Sequence, residues 1–546
     1  MVDVLIIGSG PIGATFARII SDQKPDAKIL MIDLGPRLTD KAGQNLKNIP
    51  DLSVQAELQM KSQGPKQTPY PNISVAQRAQ AVQKGELNAD ILARAGTHLA
   101  TDTPEDLASN QMPSASMSSN IGGMGAHWTC ACPRPGNAER IPFIPEDAYE
   151  KAFKKAEELL CVTQKAFDET PESLAILRTL GTVFNEKLST YRQVQPMPLA
   201  CQVNEKGERY WTGADLILGD MAEAQDASFP NFEIRSETLC RRLLTSNTEI
   251  RNPKSEIRNR ITGALIEHLP TGKQEEIKAK IVIVAADALR TPQLLWASDI
   301  RPKALGHYLN EHPFIFTFVE LKDDIVKNFG FQISDFGSAP KSETRNPKSN
   351  DPTIGVFWVP FDAPNHPFHG QIMHMDLSPL KTTIAPPSGA GGAKHIVGLG
   401  WGCLKEVQYE DCIEFSETET DWLGMPKMNF KFAYTEGDKK TIEHAKAMQT
   451  QAAQAFGKVI KDGDQTLMPA GTSLHYEGTT RMGEANDGTS VCDTYSKVWG
   501  FDNLFVGGNG VIPMETTSNP TLTSVAMAVR AAEKIVNLLD KVGIEC

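Results

Sequence analysis

Long hydrophobic segments are missing from this sequence. No run of about eighteen apolar residues, the length that spans a membrane, occurs anywhere in the chain. An apolar strand pattern already begins at Val2, which leaves no room for a signal peptide before it. We therefore expect a cytoplasmic protein with no membrane partner.

An excess of positive charge is also missing. The chain has 55 Lys and Arg against 67 Asp and Glu, a formal net charge of −12. Nucleic acids are bound through clustered Lys and Arg, and the sequence shows no such cluster. We expect no nucleic-acid partner.

Cysteine is scarce: nine residues are spread over 546 positions. An odd, thin distribution does not build a disulfide framework, so reduced thiols are expected. Cys130 and Cys132 lie near His127, but no fourth ligand is evident, and structural zinc needs paired ligands at regular spacing. The sequence predicts no metal site.

The N-terminus carries a nucleotide-binding pattern. Residues 2–17 (VDVLIIGSGPIGATFA) run an apolar strand into Gly8, Gly10 and Gly13 and then into a helix. Gly8 permits a tight turn, Gly10 lets the backbone approach a pyrophosphate, and Gly13 lets the helix pack on the strand.

A second strand over residues 28–34 (KILMIDL) carries Asp33, 20 residues past Gly13 (33 − 13). A carboxylate there accepts hydrogen bonds from a ribose diol and repels a 2′-phosphate, so the ligand is FAD or NAD rather than NADP.

A glycine-rich segment further along points to a flavin. Residues 121–135 (IGGMGAHWTCACPRP) combine glycines, which let the backbone approach a flat ligand, with the ring of His127 and the hydroxyl of Thr129. His127 could instead pack beside Trp128, and Thr129 could be a turn hydroxyl.

The nucleotide-binding pattern returns late in the chain. Residues 280–295 predict a buried strand of the same sheet, followed by a helix with Pro292 near its start, and residues 501–513 predict another strand into a glycine turn. The last helix is expected over residues 519–539. A simple NAD dehydrogenase seldom needs its C-terminus for the cofactor, so this interleaving favours FAD.

The length requires at least two cooperating lobes. We predict an α/β fold in which a Rossmann-like FAD-binding domain is built from residues 1–310 and 467–546, with an excursion at about 37–120 that packs on another subunit or borders the entrance. Alternating apolar residues between 311 and 466 predict a substrate-binding domain with a mainly antiparallel sheet.

Four motifs resemble the glucose–methanol–choline (GMC) family of flavin oxidoreductases, and most closely its pyranose oxidase branch. They are residues 122–131 (GGMGAHWTCA), 474–483 (LHYEGTTRMG), 503–508 (NLFVGG) and 519–523 (NPTLT). The short GMGAHW form also resembles bacterial relatives that oxidise glycosides, including C-glycosides, at C3. The resemblance implies FAD, with cofactor contacts at Gly123, His127, Thr129, Asn509, Pro520 and Thr521.

The resemblance also implies a catalytic pair. His475 and Asn519 fall on the family's His–Asn positions, with His475 as the base that takes the hydroxyl proton while the flavin takes a hydride. His475 could instead be a core histidine, and Asn519 before Pro520 has the pattern of a helix N-cap. His127 falls on the histidine that can bond covalently to the flavin, but Ala126 replaces the threonine of fungal pyranose oxidases, which leaves that bond open.

Residues 370–376 (GQIMHMD) resemble a sugar-loop segment, which implies substrate contacts from Gln371, His374 and Asp376. The predicted activity is oxidation of a secondary hydroxyl, at C2 or C3 of a pyranose or glycoside, to a ketone, with O2 or a quinone as the acceptor. Homo-oligomerisation is compatible with the pattern. The alternatives are a GMC oxidoreductase that acts on non-sugar alcohols and a flavoprotein-like scaffold without catalysis.

Overall fold

The structure is a computed structural model. It describes residues 1–64, 67, 81–82, 84–92, 94–101, 109–167, 169–223, 230–246, 259–325, 353–375, 396–460 and 465–542.

The first sheet has seven strands. Its central strands run parallel, and they are apolar and buried on both faces, as is usual for parallel strands. Val2–Ile7 lies between Lys273–Val284 and Ile29–Ile32, and all three run parallel. In order across the sheet the strands are Thr238–Ser246, Arg260–His268, Lys273–Val284, Val2–Ile7, Ile29–Ile32 and Phe232–Arg235, with Leu504–Val506 paired in parallel to Lys273–Val284. Strands distant in sequence therefore share one sheet, as predicted.

The second sheet also has seven strands, and every pairing in it is antiparallel. Its strands in order are Gly457–Val459, Phe314–Leu321, Ile396–Cys403, Phe368–Met375, Thr353–Val359 and Gln195–Pro196, with Thr466–Leu467 paired to Phe314–Leu321. The two sheets confirm the predicted α/β class, in which a parallel nucleotide-binding sheet is combined with an antiparallel one.

Smaller sheets complete the strand set. They pair Cys412–Thr420 with Pro426–Lys431, His98–Leu99 with Ser116–Met117, and Leu199–Val203 with both Val162–Thr163 and Arg209–Trp211.

The α-helices are Pro11–Gln23, Leu52–Lys61, Ala89–Leu92, Glu146–Leu160, Pro171–Phe184, Ala214–Leu218, Asp287–Ala297, Glu436–Phe456 and Thr521–Val542. Short 3₁₀ turns occupy Leu46–Asn48, Gly123–Ala126, Asn137–Glu139, Gly219–Glu223 and Asn509–Val511. None of the helices in the described ranges is long and apolar enough to cross a membrane.

Each large sheet has its own core. The first helix and the last pack together beside the parallel sheet. Helices Pro171–Phe184 and Glu436–Phe456 cover one face of the antiparallel sheet. On the other face of that sheet, Val356, Trp358 and Met373 pack against the core of the parallel sheet.

The Asp287–Ala297 helix differs from the expectation, because Pro292 lies inside it rather than near its start. Proline lacks the N–H that would bond to the carbonyl four residues earlier, which belongs to Ala288. The Thr479 hydroxyl donates to that carbonyl at 2.6 Å, so the helix continues past the proline.

Candidate active site

The N-terminal strand runs into a glycine turn at one end of a large cavity. Gly8 has φ +104°, and a Cβ there would lie 2.2 Å from the Ala285 carbonyl oxygen. A Cβ on Gly13 would lie 2.0 Å from the Gly8 carbonyl oxygen, so only glycine lets the first helix pack this closely. Gly10 lines the cavity, and its Cβ would meet only the Gly122 carbonyl oxygen, at 3.8 Å. Where the helix begins, therefore, no side chain separates the backbone from the cavity.

Asp33 follows the second parallel strand and lines the same cavity. One carboxylate oxygen accepts from the Ser9 backbone N–H at 3.0 Å and its hydroxyl at 2.6 Å, and the other accepts from the Gly35 N–H at 2.9 Å. Burial raises the pKa of Asp33, and these hydrogen bonds oppose that shift. The oxygen bonded to Gly35 keeps a lone pair for a ribose hydroxyl.

The Gly123–Ala126 turn closes over the glycine turn. The Gly122 N–H donates to the Ser9 hydroxyl at 2.8 Å, although the two residues are 113 positions apart. Thr129 lies just beyond this turn, and its side chain is exposed to the cavity.

His127 also lines the cavity, and its hydrogen bonds determine its tautomer. Its Nε2 lies 3.1 Å from the Ser62 hydroxyl oxygen and 3.2 Å from the Asn120 side-chain oxygen. The Ser62 hydroxyl donates to the Leu58 carbonyl, so both neighbours of Nε2 are acceptors and Nε2 carries the proton. The lone pair is on Nδ1, which is buried without a partner among the described residues and packs against Gly96. Burial lowers the pKa of His127 to about 4.

His475 and Asn519 meet at the other end of the cavity. The Asn519 side-chain N–H donates to His475 Nε2 at 3.2 Å. Burial lowers the pKa of His475 to about 4, so the ring is neutral near pH 7. The structure thus brings together the two residues that the resemblance pairs, 44 positions apart in sequence.

The N-cap that is the alternative role of Asn519 is not formed. Its side-chain oxygen is buried and accepts no hydrogen bond from the described part of the chain. The last helix begins at Thr521, and the Pro520 carbonyl accepts its first hydrogen bond, from the Ser524 N–H at 2.9 Å. Asn519 is therefore turned toward His475 instead of its own helix.

Two histidines outside the predicted set of site residues lie beside this pair. His312 Nδ1 is 3.0 Å from His475 Nδ1. The His369 ring lies nearby, where its Nδ1 accepts from the Trp358 indole N–H at 3.1 Å and its buried Nε2 has no partner within the described ranges. Burial lowers the pKa of His369 to about 3. The adjacent acid and histidine of residues 310–313 (NEHP) were the available sequence signal for His312.

Two buried glutamates hold the loops that carry the pair. Glu311 accepts from the backbone N–H groups of Gly471 (2.6 Å) and Ser473 (2.9 Å). Burial raises the pKa of Glu311 to about 7. Glu139 likewise accepts from the backbone N–H groups of Thr517 (2.6 Å) and Ser518 (3.0 Å), directly before Asn519.

The predicted substrate residues fall on opposite faces of strand Phe368–Met375. Ile372 packs in the core beneath the helices, and His374 shares that face because side chains alternate along a strand. Gln371 lies on the other face with His369 and is partly exposed. Asp376 lies outside the described residues.

The cavity has a volume of about 550 Å³ and connects the glycine turn to the His475–Asn519 pair. Gly508 also lines it, and a Cβ there would meet only Asp287, at 4.0 Å. Asn509 and Thr521 line it as well, whereas Pro520 is not among the lining residues. Bare glycine backbone at one end, unpartnered polar atoms at the other and this volume fit FAD.

Metal ligands do not converge here. Among the described residues no group of three His, Cys, Asp or Glu side chains could hold a metal ion. Cys130 and Cys132 are buried and form no disulfide with the described cysteines, and burial raises the pKa of the Cys132 thiol well above its usual value.

Comparison with known proteins identifies the family. Two models described as GMC oxidoreductase match residues 136–314 and 412–528. A C-glycoside 3-oxidase from Microbacterium trichothecenolyticum is 40% identical, covering 98% of this chain and 96% of that protein. A pyranose 2-oxidase from Tricholoma matsutake is 30% identical over 98% of this chain and 94% of its own length.

A solved structure shares the fold. Pyridoxine 4-oxidase from Mesorbium loti superimposes with a TM-score of 0.56 at 16% identity, covering 98% of this chain and 99% of that one. The motifs, the family models and the full-length relatives agree. This chain belongs to the GMC oxidoreductase family and is an FAD-dependent oxidoreductase.

Proposed function

We propose that this enzyme oxidises a secondary hydroxyl of a pyranose sugar or glycoside to a ketone. The observation that carries the proposal is the contact between His475 Nε2 and the Asn519 amide at the cavity wall. A neutral imidazole nitrogen beside an amide donor is suited to take a hydroxyl proton and to orient the oxygen. The relatives named as sugar oxidases supply the substrate class.

The chemistry divides between cofactor and protein. When bound, FAD accepts the hydride from the substrate carbon at its N5. His475 accepts the hydroxyl proton on Nε2, and the second N–H of Asn519 donates to the developing ketone oxygen. Because burial lowers the pKa of His475 to about 4, Nε2 is unprotonated at neutral pH, and the substrate hydroxyl replaces the Asn519 N–H as the donor to its lone pair.

C3 is the favoured site of oxidation. The C-glycoside 3-oxidases are 40% and 39% identical to this chain, whereas the pyranose 2-oxidases are 30% identical or less. C2 is therefore the second candidate. Gln371 and His369, on the site-facing side of their strand, are the proposed contacts for the sugar hydroxyls. His374, on the opposite face, is left out of this set.

The domain organisation separates cofactor binding from substrate binding. We assign FAD binding to residues 1–310 and 467–546, which supply the parallel sheet, and substrate binding to residues 311–466, which supply most of the antiparallel sheet. Arg94, Thr97 and Ser116 of the 37–120 excursion line the cavity, which favours a role at its entrance.

The test is anaerobic reduction of the purified yellow enzyme by a panel of pyranoses, O-glycosides, C-glycosides and simple alcohols. We expect sugars or glycosides to bleach the flavin and simple alcohols to leave it oxidised. NMR of the product locates the ketone, and parallel assays of peroxide and a quinone dye identify the acceptor. Bleaching by simple alcohols alone would refute the sugar substrate.

We propose further that FAD is held without a covalent bond. A bond from His127 requires a nitrogen with an accessible lone pair. Nε2 carries a proton bonded to two acceptors, and Nδ1, which keeps the lone pair, is buried against Gly96. Acid precipitation should leave the colour in the supernatant. A yellow pellet would show that the histidine is bonded to the flavin.

A further inference from the structure

A short antiparallel pairing places two histidines opposite each other. The Asn310 N–H donates to the Glu477 carbonyl at 3.0 Å, and the Glu477 N–H donates to the Asn310 carbonyl at 2.9 Å. Two residues along each segment, His312 faces His475, with ring centroids 4.9 Å apart. The same pairing brings the Glu477 side chain to the far side of His312, where Nε2 lies 4.0 Å from one carboxylate oxygen.

Thr516 connects this carboxylate to His312. Its hydroxyl oxygen lies 2.8 and 3.0 Å from the two Glu477 oxygens and 3.1 Å from His312 Nε2. A hydroxyl has one proton, and an ionised carboxylate can only accept, so the Thr516 proton points to Glu477. The Thr516 oxygen then accepts, which places a proton on His312 Nε2.

The positions of the remaining protons follow from the hydrogen bonds between His312, His475 and Asn519. With its proton on Nε2, His312 has a lone pair on Nδ1, which must accept from the Nδ1–H of His475 at 3.0 Å. The lone pair of His475 is therefore on Nε2, where the Asn519 amide donates to it. An ionised Glu477 thus selects the tautomer in which the base nitrogen of His475 faces the cavity.

We propose that Glu477, acting through Thr516 and His312, is a positioning residue that sets the tautomer of His475 and receives the proton that His475 takes from the substrate. This rests on the proposed role of His475 as the base. Each member lies at hydrogen-bond distance from the next, and the Thr516, His312 and Glu477 side chains are buried away from competing water.

The proton balance is simple. The substrate hydroxyl proton binds His475 Nε2, while the His475 Nδ1 proton moves to His312 Nδ1. The His312 Nε2 proton moves to the Thr516 oxygen, and the Thr516 hydroxyl proton moves to Glu477. His475, His312 and Thr516 each gain one proton and pass one on, and no electrons move. The Glu477 carboxylate ends as a neutral carboxylic acid.

The surroundings suit Glu477 as the end point. Burial raises the pKa of Glu477 well above its usual value, and the nearby Glu139 carboxylate acts in the same direction. The relay therefore operates above that raised pKa, where Glu477 is ionised and takes up a proton readily. The other charged or titratable neighbours are engaged elsewhere: Glu139 with Thr517 and Ser518, Glu311 with residues 471–473, and His369 with Trp358.

The test uses the FAD-loaded enzyme and three variants. Glu477→Gln keeps an acceptor for the Thr516 hydroxyl but cannot take a proton. Thr516→Val removes the hydroxyl at constant shape, and Thr516→Ser retains it as the matched control. We expect Glu477→Gln and Thr516→Val to slow anaerobic flavin reduction by about 10²-fold with flavin retained, and Thr516→Ser to stay close to wild type.

The pH profile separates this role from a structural one. In the wild-type enzyme the acid limb of the reduction rate should follow protonation of Glu477, whose pKa burial raises. Glu477→Gln has no such group, so only the His475 limb should remain, at lower pH. An unchanged rate and limb in Glu477→Gln, or an equal loss in Thr516→Ser and Thr516→Val, would overturn the relay.

A second readout does not depend on the substrate. In enzyme labelled with [¹⁵N]histidine, the His475 signals, identified by their loss in His475→Ala, should report the Nδ1–H tautomer. That tautomer should persist in Glu477→Gln and become mixed in Thr516→Val. An Nε2–H tautomer in the wild-type enzyme would refute the relay even where no sugar reduces the flavin, whereas the correct tautomer without reduction by sugars would refute only the proposed substrate.

Discussion

The two ends of the cavity are built in opposite ways. The end at Gly8 and Gly10 depends on atoms that are missing, because a Cβ would strike backbone or project into the cavity. The end at His475 depends on polar atoms that are present and paired, held by buried glutamates from separate segments. Substitutions at the first end should therefore change how FAD is held, and those at the second should change how fast it is reduced.

The largest effect should come from His475→Ala. General acid–base catalysis contributes about 10²–10⁴-fold, so anaerobic flavin reduction should slow by that factor. Flavin content and the visible spectrum should match wild type, because the phosphate end is untouched. Stopped-flow reduction measures this. A variant that is reduced at a near-normal rate with full flavin would move the base role to another residue.

Gly8→Ala should disrupt the glycine turn at the other end of the cavity. The added Cβ meets the Ala285 carbonyl oxygen at 2.2 Å, and φ of +104° strains any side chain. Overpacking costs roughly 1–3 kcal/mol, which lowers stability and the flavin-to-protein ratio together. The flavin that remains should be reduced at the wild-type rate.

Two matched variants sharpen this prediction. Gly207→Ala has a positive φ of +74° but no atom within 4 Å of the new Cβ, so it isolates backbone strain away from the cavity. Gly10→Ala adds a Cβ that meets protein only at 3.8 Å, so it should lower FAD affinity while the apoprotein melts normally. An apoprotein of Gly10→Ala that melts like Gly8→Ala would contradict the distinction.

The same contrast explains what the sequence could predict. The glycine turn and Asp33 lie within one short stretch, and their roles follow from backbone sterics that any chain obeys. His312 and Glu477 become neighbours of His475 only through long-range pairing. The adjacent acid and histidine of residues 310–313 mark His312 as a candidate, but no local pattern shows which distant residue it contacts. His475 and Asn519 were found through family motifs, not from spacing.

Two local patterns differ from the structure for physical reasons. Asn519 has the local pattern of a helix cap, but a buried histidine partner competes for its amide, and the Pro520 carbonyl supplies the first helical acceptor instead. Pro292 was expected near a helix start, but the Thr479 hydroxyl replaces the lost hydrogen bond inside the helix. In both cases a tertiary contact overrides a local preference.

Asn519→Ala should have a moderate effect on rate and almost none on stability. A neutral hydrogen bond contributes about 0.5–1.5 kcal/mol, which corresponds to about 2–12-fold in flavin reduction. Because Asn519 does not cap its helix, the melting temperature should stay near wild type. Thermal unfolding and stopped-flow reduction of one preparation check both parts. A drop in melting temperature typical of a lost cap, with reduction unchanged, would restore the capping role.

The smallest effects should separate the two faces of strand Phe368–Met375. Gln371 is partly exposed on the face shared with His369, so Gln371→Ala should raise KM for the sugar by a few-fold and leave kcat and the melting temperature unchanged. His374 is buried on the face shared with Ile372, so His374→Ala should lower the melting temperature through the cavity it leaves, with KM retained. Steady-state kinetics and thermal unfolding of the pair decide the assignment. The reverse pattern, with KM raised by His374→Ala and stability lowered by Gln371→Ala, would place the sugar on the opposite face of the sheet.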